Sequence, residues 1–171
     1  MKRLLTTACL FFLASAGLRA DDLKVADLTF NVSEPWKSVP TSSPMRAGTV
    51  EATVEGSTTA VQAVFYYFGP GQGGDVDANI TRWLGQFQGA PKSSRETLKA
   101  GEAEIEIVDA TGTFLDGPPM GAKTPKADYS LLGAIVPAAE ANIFIKLTGP
   151  KEDIAKLKDA FRALISSPFK S

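Results

Sequence analysis

The sequence predicts an α+β fold: an α/β/α sandwich built on a mainly antiparallel sheet of about six strands, with two amphipathic helices. Strand patterns occur in runs, with one helical pattern between two runs and another at the end, and this order favours antiparallel pairing over repeated βαβ crossovers. The segment TTAVQAVFYYF at 58–68 is apolar on both faces, so it belongs inside a sheet that is covered on both sides. Each helical pattern has a single apolar stripe, which suits a helix lying on one face of a sheet.

The first twenty residues have the pattern of a secretory signal peptide. A basic pair precedes an apolar run at 4–13, and small residues follow the run. Cleavage after Ala16 and cleavage after Ala20 both fit the pattern, and Ala20 is preferred because the polar chain begins directly after it. We therefore expect a signal peptide at 1–20 and a single domain at 21–171.

The apolar run is shorter than the ~20 residues that a membrane-spanning helix needs, and no later segment approaches that length. The sequence therefore predicts a secreted or periplasmic protein with no integral membrane segment. Cys9 is the only cysteine, and we expect it to leave with the signal peptide; the alternative is a lipoprotein in which Cys9 is acylated. In the first case neither disulfides nor thiol chemistry is available, so stability depends on the core.

The expected mature chain is mildly acidic. It keeps 15 basic and 19 acidic residues, a formal net charge of −4. A protein that binds nucleic acid usually shows a basic face or stripe. We therefore expect no nucleic acid among its partners.

The first half of the domain is predicted to be strands. Residues 25–32, VADLTFNV, form the first strand, and a proline-containing loop follows at 37–46. Residues 48–55, GTVEATVE, alternate as a half-exposed strand does. We expect the valines and the alanine of that strand to face the core, and the opposite face to carry Thr49, Glu51, Thr53 and Glu55.

From Asp75 the hydrophobic period changes to that of a helix. Its stripe consists of Val76, Ile80, Trp83, Leu84 and Phe87. The helix should end near Pro91, since proline cannot continue it. A β region is predicted at 97–115, with a turn at Gly101 and a bulge at Gly112.

Residues 116–128 are predicted to be a loop. The segments YSLLGAIVP and ANIFIKLTG then read as two strands of a hairpin. The last helix begins after Gly149-Pro150, where proline is tolerated in the first turn. Its stripe consists of Ile154, Leu157, Phe161, Leu164 and Ile165.

This element order, together with the segments FYYFGPGQGG, ITRWLGQF, LLGAIV and FIKLTGP, resembles the PsbP-like fold of the PsbP and DcrB type, and in particular its uncharacterised secreted bacterial members. The resemblance covers most of 25–169. It implies an accessory or binding protein, because known members of the fold mostly have such roles. It implies no catalytic motif.

The glycine loop before the first helix raises the question of a cofactor. Gly69, Gly71 and Gly74 match the G-x-G-x-x-G fingerprint of dinucleotide-binding proteins. However, Asp75 and Asp77 occupy the start of the helix, where they would repel a phosphate, and the segment PKSSRETLK shows no strong second strand. We expect no cofactor; the loop is predicted to turn the chain, with Asp75 as the N-cap of the helix.

A metal site is not expected either. The segment DVDAN matches the first three ligand positions of an EF-hand loop, but Ile80 stands where glycine is required and Gln86 where glutamate is required. The chain contains no histidine, which removes Ser-His-Asp triads, Cys-His dyads and the usual zinc sites.

Catalysis by two carboxylates is the remaining enzymatic possibility. Asp109 with Asp116, or Glu104 with Glu106, could form a glycosidase-like pair. The alternative, which we favour, is that Glu104 and Glu106 form a solvated strand face. We therefore expect a protein that is not an enzyme and has no catalytic residues.

Four residues are the candidates for ligand or partner binding. Trp83, with neighbouring aromatic residues, could line a ligand groove. Lys123 and Lys126 in one loop, with Arg46 in an earlier loop, could form a small basic contact patch. The function expected is that of an exported accessory or binding protein, whose partner is an unknown envelope protein or small ligand and whose contact surfaces are the loops at 37–46 and 116–128. The alternative is a carboxylate-based hydrolase or small-ligand-binding protein of the cell envelope.

Overall fold

The computed structural model describes residues 21–41, 43–118 and 120–170. The predicted signal peptide and its cleavage sites lie outside these residues. The elements are β1 (Asp21–Val25), β2 (Leu28–Val32), β3 (Lys37–Ser38), β4 (Gly48–Ala52), β5 (Val61–Tyr66), α1 (Val76–Leu84), β6 (Lys92–Ala100), β7 (Ala103–Asp116), β8 (Thr124–Val136), β9 (Ile143–Pro150), α2 (Lys151–Ser166) and a 3-10 turn (Ser167–Phe169). Neither of these helices is long and apolar enough to cross a bilayer.

Seven of the strands form one antiparallel sheet in the order β3-β4-β5-β9-β8-β7-β6. The other two, β1 and β2, pair with each other as a separate hairpin. The α+β class and the mainly antiparallel sheet with two helices are therefore confirmed, with one strand more than the six expected in the main sheet.

The two faces of the sheet have different covers. On one face, α2 and the β1–β2 hairpin enclose the larger core, in which Phe65 of β5 contacts Phe30 of β2 edge-on, with ring centroids 5.0 Å apart. On the other face, α1 packs through Ile80 and Trp83 against β7 and β8. Strand β5, which the sequence predicts to be apolar on both faces, lies between two neighbours in the interior of the sheet.

The start of the domain differs from the prediction. The single strand expected at 25–32 is the end of β1, a tight turn and β2, with Val25 paired to Leu28. Ala26 adopts a positive φ of 53° at this turn, a conformation that a strand pattern does not reveal. Thr49, expected to face solvent, is buried, and its hydroxyl has no hydrogen-bond partner within the described part of the chain. The loop expected at 37–46 begins with the short strand β3.

Strand β6 begins at Lys92, five residues before the start of the β region predicted at 97–115. The segment PKSSRETLK, expected to hold no strong strand, contributes most of β6. The first six of the nine residues of β6 are exposed, because the strand lies at the edge of the sheet with solvent on both faces. Such a strand shows no alternation. The turn predicted at Gly101 and the bulge predicted at Gly112 are both confirmed.

The hairpin of β7 and β8 is longer than predicted. The loop expected at 116–128 is partly strand, because β8 begins at Thr124 and pairs with the end of β7, Asp116 opposite Thr124. Helix α1 is shorter than predicted and ends at Leu84, with Gly85 as its C-cap. The chain leaves the helix here because its next residues bond to β7, with the Leu115 N–H donating to the Gln86 carbonyl at 2.8 Å.

Candidate functional site

A groove of about 1530 Å³ lies on the α1 side of the sheet. It exists because α1 has only nine residues and packs against β7, β8 and Phe144 of β9, which leaves the rest of β9 and the neighbouring strand β5 less covered on this face. Those two strands provide its floor. The walls come from α1 and the following turn, from the β7–β8 hairpin tip, from the glycine loop and from the segment before β4; they include Met45, Phe68, Gly73, Arg82, Gln86, Pro118 and Tyr129.

All four of the sequence-predicted binding residues line this groove. Trp83 belongs to α1 and is buried, so it supports the wall from behind. Lys123 and Lys126 lie on the β7–β8 hairpin, and Arg46 lies across the groove, before β4. The structure thus brings together residues from three distant parts of the sequence. Their role in binding stays a prediction.

Positive charge is concentrated in the groove. Its lining contains five basic residues, Arg46, Arg82, Lys123, Lys126 and Lys146, and a single carboxylate, Asp116. The protein as a whole is not basic, since it has 18 basic and 19 acidic residues. A cleft lined by one sign of charge with apolar walls focuses the electrostatic potential. The groove is therefore suited to an anion.

Lys146 is the central cation of the groove and was missed by the sequence reasoning. It lies in the middle of β9, half-buried, with Val64 and Gly133 opposite it on the two neighbouring strands. Its Nζ donates a hydrogen bond to the Gln86 Oε1 at 2.6 Å. No carboxylate in the described ranges forms an ion pair with it. The signal that could have found it is a single lysine inside the apolar strand IFIKL.

The surroundings of Lys146 change its titration. Burial, together with the positive charges of Arg82 and Lys123, lowers the pKa of Lys146 to about 8. Both effects disfavour the ammonium form. A cation in this state gains from a bound anion, because the anion removes part of the electrostatic cost of the charge. Perturbed lysines inside clefts are common at binding and active sites.

Hydrogen bonds position Gln86 and Arg82, the two α1-side neighbours of Lys146. The Gln86 N–H donates to the Trp83 carbonyl at 3.1 Å, and the Gln86 carbonyl accepts from Leu115. Arg82 donates to the Oδ1 of Asn79, which is only 1% exposed. The Nδ2 of Asn79 donates to the carbonyls of Gly73 at 2.7 Å and Asp75 at 2.8 Å. Asn79 therefore joins the glycine loop to α1 and orients Arg82 at the same time.

The glycine loop turns the chain from β5 into α1. Gly69, Gly71, Gly73 and Gly74 all have φ between 68° and 90°, a region that other residues rarely adopt. Asp75 is the N-cap, as predicted, and its carboxylate accepts from the Ala78 N–H at 2.8 Å. The strand that follows the helix, β6, is antiparallel to its neighbour, so the parallel arrangement of a dinucleotide site is not formed.

Two of the cations at the hairpin tip are engaged in local contacts. Lys123 donates to the carbonyls of Gly117 at 2.9 Å and Pro118 at 2.6 Å. Lys126 pairs with Asp116 at 3.2 Å and lies 5.5 Å from the ring centroid of Tyr129. The hydrogen bond to Asp116 raises the pKa of Lys126. These contacts stabilise the tip, and they leave Arg82, Lys146 and Arg46 as the cations best able to bind an anion.

The carboxylates proposed for catalysis are each paired with a different cation. Ion pairs join Glu104 to Lys99, Glu106 to Arg95, Asp109 to Lys158 and Asp116 to Lys126. The contacts of Glu106 with Thr97 and Arg95 lower its pKa. The three polar residues of DVDAN also diverge, since Asp75 caps α1, Asp77 pairs with Arg95 and Asn79 bonds to the loop. Within the described chain, no three acidic, cysteine or histidine side chains form a metal-binding cluster.

The cap at the start of α1 gives a testable expectation. Replacing Asp75 with alanine should lower the free energy of unfolding by about 1 kcal/mol, because the Ala78 N–H loses its acceptor. Asp75→Asn should keep most of the stability, since asparagine also caps helices well. Chemical denaturation followed by circular dichroism measures both. An equal loss in the two variants would contradict capping as the role of Asp75.

The site therefore combines a central lysine, a nearby arginine, an amide and an aromatic wall in one open groove. Hydrogen bonding and charge attraction to an anion are the chemistry that these groups offer. No protein-family model matches the chain, and no curated protein matches its sequence.

Proposed function

We propose that the protein is an exported, non-enzymatic binding protein of the PsbP-like fold, and that its ligand is an anion bound in the groove at Lys146 and Arg82. One observation carries the proposal: the central cation of this groove is half-buried and has an amide as its hydrogen-bond partner, without an ion-pair partner among the carboxylates of the described chain. A buried charge without a counter-ion is costly, so it is rare unless a ligand completes the site.

The expected electrostatic and hydrogen-bond energies favour an anionic ligand. A charge 4 Å from Lys146 in a partly screened site interacts by about 4 kcal/mol. Each hydrogen bond from a charged donor adds about 1.5–3 kcal/mol. Arg82 is available as a second donor because Asn79 already fixes its position. Together these terms are large enough for specific binding, even after the losses of translational and side-chain freedom.

The position of the groove also agrees with the contact surfaces expected from the sequence. The loop at 37–46 supplies Arg46, and the segment at 116–128 supplies Asp116, Lys123 and Lys126. These two segments, far apart in sequence, both contribute residues to the lining of the groove. A ligand in the groove would touch both.

The carboxylate-hydrolase alternative has less support from the geometry. A two-carboxylate mechanism needs two acids that flank the substrate. Asp116 is the single acid in the described lining of the groove, and it is paired with Lys126. The small-ligand alternative, in contrast, is compatible with the same groove and differs only in the kind of ligand.

The proposal is tested with inorganic phosphate as the probe. Titration followed by proton–nitrogen NMR should give saturable shifts for the amides of Arg82, Gln86 and Lys146. The double variant Arg82→Gln, Lys146→Met should weaken phosphate binding at least about tenfold, which corresponds to ~1.4 kcal/mol. Lys99→Gln is the matched control, because Lys99 is an exposed lysine on β6, away from the groove. Shifts scattered over the surface, or equal binding in all three proteins, would refute an anion site in the groove.

A further inference from the structure

An aromatic row begins directly beside the cationic centre of the groove. Phe144 lies two residues before Lys146 on β9 and therefore on the same face of the strand. The ring of Phe68 is 5.9 Å from that of Phe144, and Phe68 stacks with Tyr66 at 6.4 Å with an interplanar angle of 12°. Tyr66 is the β5 residue opposite Phe144, and all three residues of this aromatic row line the groove.

The outer end of this row is exposed to solvent. Within the described residues, three large apolar side chains are exposed: Met45 at 66%, Phe68 at 40% and Met120 at 100%. Met45 and Phe68 line the groove, whereas Met120 does not. Apolar surface that is left exposed next to a few polar anchors is typical of a ligand site. Phosphate alone would leave this surface uncovered.

The fixed position of Phe68 makes the exposure a stable property of the groove. The ring packs beside Gly73, where an added Cβ would lie 3.3 Å from Phe68 and 2.7 Å from Phe144. Gly73 is therefore required for the two rings to approach the loop. The loop itself is tied to α1 by Asn79. Asn79 therefore connects the loop beside the aromatic row with Arg82 on α1.

We propose that the ligand is an anionic amphiphile: its acidic group binds between Lys146 and Arg82, and its apolar body lies against Phe68, Tyr66 and Met45. Phe144 is only 2% exposed and supports the ring of Phe68 from behind. This inference rests on the proposed function. The path from Lys146 along β9 to Phe144, and from there to the ring of Phe68, is about 13 Å, given a strand rise of ~3.4 Å per residue and the 5.9 Å between the two rings. A medium-chain acyl carboxylate or a linked pair of aromatic rings has this length.

The test uses a series of straight-chain carboxylates, from butyrate to decanoate, titrated into the exported protein by calorimetry below their micellar concentrations. Affinity should rise by about threefold per added methylene, as expected for apolar surface transferred from water. Octanol, which has the same chain and no charge, should bind at least about tenfold more weakly than octanoate.

Two variants separate the apolar and the charged parts of the site. Phe68→Ala should lower octanoate affinity at least fivefold and flatten the dependence on chain length, and leave the phosphate shifts unchanged. Lys146→Met should remove the preference for octanoate over octanol. Met120→Ala is the control, since Met120 is exposed but lies outside the groove, and it should bind as the wild type does.

The outcomes distinguish this inference from the proposed function. If phosphate binds in the groove but carboxylate affinity does not depend on chain length, the anion site stands and the amphiphile is refuted. If neither phosphate nor octanoate binds, both are refuted. Octanoate binding that shifts the sedimentation of the protein to a dimer, with Phe68→Ala remaining a monomer, would refute the small-molecule site and assign the row to a second copy of the chain.

Discussion

Replacing Gly133 with alanine is expected to destabilise the protein by about 1–3 kcal/mol, the usual range for overpacking a core. Gly133 lies in the middle of β8, where an added Cβ would stand 2.4 Å from Cζ3 and 2.6 Å from Cε3 of Trp83. The indole is 3% exposed and packs edge-on against Phe144, so it has no room to retreat. In an ordinary strand the same substitution would be favourable, because glycine weakens strand interiors. The clash with Trp83 therefore makes Gly133→Ala destabilising.

Urea denaturation followed by far-ultraviolet circular dichroism measures this loss. Gly85→Ala is the matched control: its Cβ would lie 3.4 Å from the nearest atom and its φ is −67°, so it should change stability by less than about 1 kcal/mol. The cost of Gly133→Ala should fall by at least ~1 kcal/mol in a Trp83→Leu background, because the two sites share one contact. An unchanged cost in that background would show that Trp83 is not the cause.

Replacing Lys146 with methionine is expected to stabilise the protein by about 1–3 kcal/mol at pH 7, since methionine fills the same space without a buried charge. The pKa of Lys146 falls from 10.5 to about 8 on folding. Above pH 10.5 the lysine is neutral in both states and the cost vanishes. As the pH falls from 10.5 to 8 the unfolded chain takes up the proton first, so the folded state loses stability; below pH 8 the cost is constant. The advantage of methionine should therefore shrink as the pH rises from 8 to 10.5.

Unfolding free energies of both proteins at several pH values between 7 and 10.5 check this expectation. Lys99→Met serves as the control, because Lys99 is an exposed lysine paired with Glu104, and its replacement should change stability by less than about 1 kcal/mol. A methionine advantage that is the same at every pH would contradict burial of the ammonium as its origin. The groups that face Lys146 across the groove are Gln86, Arg82 and Lys123, so no described carboxylate should distort the curve.

The fold could be predicted from the sequence where burial leaves a period. Strand β5 is apolar on both faces because both faces of the sheet are covered there. Helix α2 has one apolar stripe because one of its sides packs against the sheet. The first half of strand β6 could not be predicted in this way, since both of its faces meet solvent there. The hairpin at 25–28 was missed because its turn interrupts the alternation by only two residues.

The sequence predicted four residues of the candidate site, but it did not predict that they line one groove. Arg46, Trp83, Lys123 and Lys126 were singled out for their chemistry, but nothing local in the sequence says that they share a groove. Lys146 was hidden by its context, because a single lysine in an apolar strand has the composition of a core element. Lys146 lines the groove because the short α1 does not extend over this part of β9. That is a property of tertiary packing.

The main-chain bonds that anchor Gln86 affect how a ligand would enter. Because the Gln86 backbone is bonded to α1 on one side and to β7 on the other, the acceptor that faces Lys146 is already preorganised before any ligand arrives. The described backbone at Gln86 does not have to rearrange on binding, so this part of the free and occupied proteins should superpose closely. Association should then be a single step, with a rate set by diffusion and by the attraction of the cations in the groove.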